Sequence, residues 1–146
     1  MTGIAPAVSP LLDLGSSQMN PVLSPSQIAR IRAAGAIRKV EAGETLISAG
    51  DNLVPFFIVL EGRVEIIQRS VKSEVLIAVH GPGQFTGEVN MLSGRRSLVG
   101  MRVAEAGELI ELDRPSLLAL VQKDGELGEV VMRAFILRRV DLIAQG

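Results

Sequence analysis

The period of apolar and polar positions changes twice along this chain, and the changes divide it. Residues 1–23 hold no period, because Gly, Pro, Ser and Asn interrupt scattered Leu and Met. We expect an N-terminal arm there, with at most one short helix around Pro10–Leu14. At Ser24-Pro25-Ser26-Gln27 a serine N-cap, a proline at N1 and a glutamine at N3 form a capping-box start. Ile28, Ile31 and Ala34 carry an apolar stripe onward, and Gly35 is expected to end this helix.

From 36 to 113 the helical period is gone. AIRKV, TLISAG, FFIVLEG, RVEIIQRS, EVLIAVH, SLVGMRVA and GELIELD are short segments rich in Val, Ile, Leu and Phe. Turn signals stand between them at Ala42-Gly43, Gly50-Asp51-Asn52, Glu61-Gly62-Arg63 and Gly81-Pro82-Gly83. Short strands at such spacing predict a small antiparallel sandwich or barrel. In RVEIIQ the alternation turns Val64 and Ile66 inward and Glu65 outward.

The helical period returns after Asp113, which is placed to cap a helix with Pro115 in its first turn and Leu117, Leu118 and Val121 along it. A break at Lys123-Asp124-Gly125 precedes the longest helical pattern, ELGEVVMRAFILRRVDLIAQ. Leu127, Val130, Val131, Ala134 and Leu137 make one stripe; Met132, Phe135, Ile136, Val140 and Ile143 make another. A helix apolar on two sides needs two partners. One is the β-domain, and the other is expected to be the same helix of a second chain, a homodimer through residues 126–144. Domain boundaries follow: an arm at 1–23 and one domain at 24–146, with β-structure at 36–113 and C-terminal helices at 114–146.

Composition narrows the function classes. The length of 146 residues suits one domain, and 47% apolar content supports a core. A net charge of −1, from 15 basic and 16 acidic residues, supplies no broad basic face for nucleic acid. DNA binding would need a helix-turn-helix after Gly146, so none is expected within these residues. The chain has no cysteine, which removes disulfides and thiolate chemistry and fits a cytoplasmic protein. No signal-peptide pattern opens the chain, and the longest apolar run, LVPFFIVL at 53–60, is short for a membrane span. The lone His80 is expected to be a strand-end residue, with no metal site around it. No G-x-S-x-G elbow occurs, and we expect no catalysis here; an enzyme activity would lie in a domain beyond residue 146.

The candidate chemistry lies in residues 83–99, GQFTGEVNMLSGRRSLV. A glycine opens an expected helical turn whose N–H groups and dipole suit an anion. Glu88 would repel a phosphate, so its natural partner is a sugar hydroxyl pair. Arg95 or Arg96 could neutralise the anion bidentately. Carboxylate, helix start and arginine together suit a ribose phosphate; a solvated loop is the other reading. Gly81-x-Gly83-x-x-x-Gly87 is one residue too long for a dinucleotide fingerprint and has no βαβ unit around it.

The pieces Ala49-Gly50-Asp51, Phe57-Ile58-Val59-Leu60-Glu61-Gly62, Gly83-Gln84-Phe85-Thr86-Gly87-Glu88 and Leu109-Ile110-Glu111-Leu112-Asp113, in this order between Ser24 and Ile143, resemble the cyclic-nucleotide-binding domain. That is the sensor module of catabolite-activator-type regulators, cyclic-nucleotide-dependent kinases and gated channels. The resemblance implies a mainly β fold: an antiparallel, jelly-roll-like β-roll (double-stranded β-helix) with an N-terminal helix and two C-terminal helices. It implies no cofactor, a cyclic nucleotide (cAMP or cGMP) as ligand, and a phosphate-binding cassette at 83–99. Gly87 and Glu88 match the cassette's Gly-Glu, whose glutamate holds the ribose 2′-hydroxyl; Met91 and Leu92 match its apolar helix.

Counted from Gly87 without gaps, the family's phosphate arginine falls on Ser97, with Leu98 where small residues follow. Arg96 lies one residue early and Arg95 two. The implied ligand set is therefore Gly87, Glu88, Val89, Arg95, Arg96, Ser97 and Leu98. Two outcomes stay open: an arginine reaching in from a shortened loop, or the same fold without cyclic-nucleotide binding, serving dimerisation or interaction. On the last helix, Arg133, Arg138 and Arg139 with Glu126 and Glu129 are expected to form a solvated or interface rim. FTGEVNMLSGRRSLV and MRAFILRRVDLI are also similar to a regulatory domain found ahead of thioredoxin-reductase-like flavoenzyme modules, which implies a longer polypeptide.

Overall fold

The computed structural model describes residues 19–145, apart from 53, 70, 71, 90–95 and 98. The short helix expected around Pro10–Leu14 lies outside the described residues. Helix α1 spans Pro25–Arg32, and the capping box is formed: Ser24 Oγ accepts from Gln27 N while Gln27 Oε1 accepts from Ser24 N. The helix ends at Ala33 rather than Gly35. Gly35 serves close packing instead, since a Cβ there would lie 2.6 Å from side-chain atoms of Ile110 and Leu112.

Among the described residues six strands follow: β1 (Ala36–Val40), β2 (Thr45–Ile47), β3 (Phe56–Arg69), β4 (Glu74–His80), β5 (Phe85–Thr86) and β6 (Gly100–Leu112). Every pairing among them is antiparallel. The path runs β1-β6-β3-β4, with β2 added to β6 and β5 to β3. Helix α2 (Arg114–Lys123) and helix α3 (Gly125–Gln145) close the chain. Asp113 caps α2 by accepting from Ser116 N at 2.9 Å, and Asp124 accepts from Leu127 N at 3.1 Å to start α3. Among the described residues this is the antiparallel β-roll with α1 before it and α2 and α3 after it.

The expected turn at Glu61-Gly62-Arg63 is corrected: β3 runs straight through it, and β6 runs alongside for its whole length. Gly62 has φ +92°, and the register shifts on both sides of it, so the glycine makes a bulge instead of a reversal. A positive-φ glycine serves either purpose, and the sequence does not say which.

The bulge divides β3 by burial. Before it, Phe56 and Ile58 pack with Ile31, Leu117, Leu127 and Val131 of the helices, while Phe57 and Val59 pack inside the roll with Val40, Met101 and Leu109. Both faces are covered, which is why FFIV is apolar without alternation. After the bulge Val64 and Ile66 point inward as their alternation predicts, at 1% and 6% exposure; Ile67 is buried as well, beyond a further register shift against β4. On α3, Leu127, Val131 and Ala134 are buried, whereas Met132, Ile136 and Val140 remain exposed.

Candidate functional site

The approach to the site is fixed by backbone. Gly83 N donates to Val59 O at 2.8 Å, and Val59 N donates to Gln84 O at 2.9 Å, so the turn after β4 is sewn to the middle of β3. Strand β5 then pairs Phe85 with Ile58 and Thr86 with Phe57. Gly87 follows at φ +102°, and a Cβ there would collide with Pro55 O. Only glycine lets the chain pass this point, which is the physical reason for the glycine expected there. Glu88 and Val89 begin a helical turn immediately afterwards.

That geometry sends the Glu88 side chain inward. It is fully buried, and it meets Arg138 of α3, itself only 11% exposed, with Arg138 Nη1 donating to Glu88 Oε1 at 2.6 Å. Nη1 also donates to Phe85 O at 2.9 Å, Nε donates to Met19 O at 2.7 Å, and Nη2 reaches Asn20 Oδ1 at 3.4 Å. The guanidinium lies over the Phe85 ring, 4.9 Å from its centroid. Burial of a lone carboxylate would cost several kcal/mol, on the order of what a paired arginine offsets. One acceptor is still unused: Glu88 Oε2 is buried without a hydrogen-bond partner among the described residues.

His80 closes the same region from the end of β4. It is 2% exposed, with Nδ1 unpartnered among the described residues. Burial, reinforced by the Arg138 charge, pushes its pKa down from 6.5 to about 3, so the ring is neutral. A neutral histidine beside an arginine adds no second cation to the Glu88 partnership.

The far end of the cassette is tied to the Gly50 turn. Ser97 N donates to Asp51 O at 2.9 Å and Gly50 N donates to Ser97 O at 2.7 Å. Ser97 is buried, and its Oγ donates to Val99 O at 2.6 Å, so the hydroxyl is occupied locally. Arg96, one residue earlier, is exposed, with no ion pair to any described residue. Val89 is half-buried beside Glu88. Arg95, Leu98, Met91 and Leu92 lie outside the described residues.

The expected rim on the last helix is corrected at one position. Arg133 does pair with Glu129 on the surface, at 2.6 Å, and Glu126 pairs with Arg30 at 2.7 Å. Arg138 instead turns into the protein to hold Glu88. Helical spacing placed it among charged neighbours, and only its position beside the apolar Leu137 face hinted at burial. A concavity of about 260 Å3 lies elsewhere, between β2 and the start of β6, and no described residue of the cassette lines it. Its one arginine, Arg102, is spent on Glu65 and Glu74 at 3.2 and 3.6 Å.

Residues 37–124 match the family model described as the cyclic nucleotide-binding domain. Potassium channel AKT1 of Oryza sativa subsp. indica is 27% identical over 93 residues, which are 64% of this chain and 10% of the channel. The chain thus spans about a tenth of the length of that curated relative. The catabolite activator protein of Thermus thermophilus superimposes with a TM-score of 0.68 at 24% identity, covering 88% of this chain and 62% of that one. A protein solved in work on a cyclic-GMP-dependent signalling pathway that regulates bacterial phytopathogenesis gives a TM-score of 0.69 at 26% identity, covering 82% and 96%. With the family model spanning more than half of its length, and with the β-roll and Gly-Glu turn in place, the chain belongs to the cyclic nucleotide-binding domain family.

Proposed function

We propose that this module senses a cyclic nucleotide, cAMP or cGMP, without catalysing a reaction, and passes its occupancy on through the C-terminal helices. The observation that carries the reading is the Glu88 carboxylate: fully buried, charge-balanced by Arg138, and left with one free oxygen behind a glycine that admits no side chain. A ribose hydroxyl is a donor of the right kind for that oxygen, whereas a phosphate would be repelled. The cyclic phosphate then falls to the Gly87 and Glu88 amides at the start of the helical turn. Arg96 is its cationic partner, supported by its exposure and by the local use of the Ser97 hydroxyl. Arg138 lies on α3, so a ligand that adjusts Glu88 bears directly on the last helix.

Titration calorimetry with cAMP, cGMP and 5′-AMP tests this. We expect saturable binding of at least one cyclic nucleotide and far weaker binding of 5′-AMP; no heat from either cyclic ligand at millimolar concentration would sink the reading. Arg96→Ala should weaken the preferred ligand by about 10- to 150-fold, since hydrogen bonds to charged groups contribute about 1.5–3 kcal/mol.

A second reading, self-association through α3, is favoured by its own observation. Met132, Ile136 and Val140 are spaced four apart and exposed at 36%, 55% and 60%. Such a stripe is where a second copy of the helix would pack. In analytical ultracentrifugation the wild-type chain should sediment as a dimer and Ile136→Asp as a monomer. A monomeric wild type at high micromolar concentration would refute the dimer.

A further inference from the structure

Residues 19–23 cross the mouth of the Gly83 turn as a strap. Leu23 N donates to Gly83 O at 2.8 Å, and the Leu23 side chain, 4% exposed, joins the cluster of Phe85, Leu127 and Val131. Gln84 Nε2 donates to Asn20 O at 3.3 Å. The strap's other attachment is Arg138, through Met19 O at 2.7 Å and Asn20 Oδ1 at 3.4 Å. A guanidinium is planar, with its donors in a fixed fork. This one cannot swing toward Glu88 or toward the strap without disturbing the other.

We propose that Arg138 is a positioning residue that links docking of the 19–23 strap to occupancy of the ligand site. The docked strap holds the fork where it orients Glu88, and a donor on Glu88 Oε2 favours that same orientation. The ligand half of the inference rests on the ribose reading of Glu88. Linkage is reciprocal, so a ligand that gains from the docked strap must also make the strap harder to lift. The N-terminal segment thereby becomes a second route, beside the last helix, by which occupancy is transmitted.

Amide hydrogen exchange on the full chain tests the link. The Leu23 amide reports the strap, and the Val103 amide, bonded to Glu44 O at 2.9 Å elsewhere on the roll, is the reference. Without ligand, Glu88→Gln should speed exchange at Leu23 by about fivefold or more relative to Val103. With saturating cAMP or cGMP, wild-type Leu23 should slow by a similar factor, and Arg138→Lys should abolish that response. A Leu23 rate unmoved by Glu88→Gln, or moved equally with Val103, overturns the link. Ligand binding with no change at Leu23 also overturns it, while leaving the ribose reading intact. A Leu23 response to Glu88→Gln in a protein that binds neither cyclic nucleotide overturns the ribose reading and the ligand half of the inference with it, and supports only the coupling of Glu88 to the strap.

Discussion

Arg138→Ala is expected to lower the unfolding free energy by about 3–5 kcal/mol, the cost of leaving one partner of a buried ion pair uncompensated. Glu88 has no exposure of its own and no other cation within hydrogen-bond reach among the described residues. The same truncation strands Phe85 O and Met19 O, which share that guanidinium. Urea unfolding should show a lower midpoint with little change in slope. Replacing both partners by apolar residues, Glu88→Leu with Arg138→Met, should cost clearly less than Arg138→Ala alone, because no charge is then left buried. If the single variant proved as stable as wild type, the pair would not be buried in the way described.

The second large effect is on pH. His80 has a folded pKa of about 3 against an ordinary 6.5. Between those values the unfolded chain binds a proton that the folded chain refuses, so stability rises with pH through the window and levels off above it. The slope contributed is at most about 1.4 kcal/mol per pH unit, on the order of 3–5 kcal/mol across the window. The stabilisation is complete above about pH 6.5 and is lost progressively toward pH 3. Carboxylates titrate in the lower part of that range too, so the comparison has to be with His80→Leu. Urea midpoints measured from pH 4 to 8 should diverge for the two proteins as the pH drops below 6.5. Parallel curves would mean that His80 is not held neutral.

What could be read from the sequence follows how local each interaction is. Ser24 and Gln27 cap α1 three residues apart, Asp113 reaches Ser116, and Val64 and Ile66 alternate with Glu65; each needs only its own neighbourhood. The Gly87-Glu88 pair was legible because a close backbone approach demands glycine there. The Gly62 bulge was not, because a left-handed glycine closes a turn and kinks a strand with the same backbone angle. Arg138 was hidden for another reason: its partner lies 50 residues away, and helical periodicity sorts positions by hydrophobicity rather than by a distant carboxylate. The role of residues 19–23 was equally out of reach, since a strap without a period has no pattern until its docking site exists.

Calorimetry in a two-by-two design tests for a ribose hydroxyl on Glu88. Wild type and Glu88→Gln are each titrated with the preferred cyclic nucleotide and with its 2′-deoxy analogue. Loss of a hydrogen bond to a buried carboxylate should weaken wild-type binding of the 2′-deoxy ligand by about tenfold or more. The same change of ligand should matter much less to Glu88→Gln. Equal affinity of the wild-type protein for the ribose and 2′-deoxyribose ligands would contradict the account.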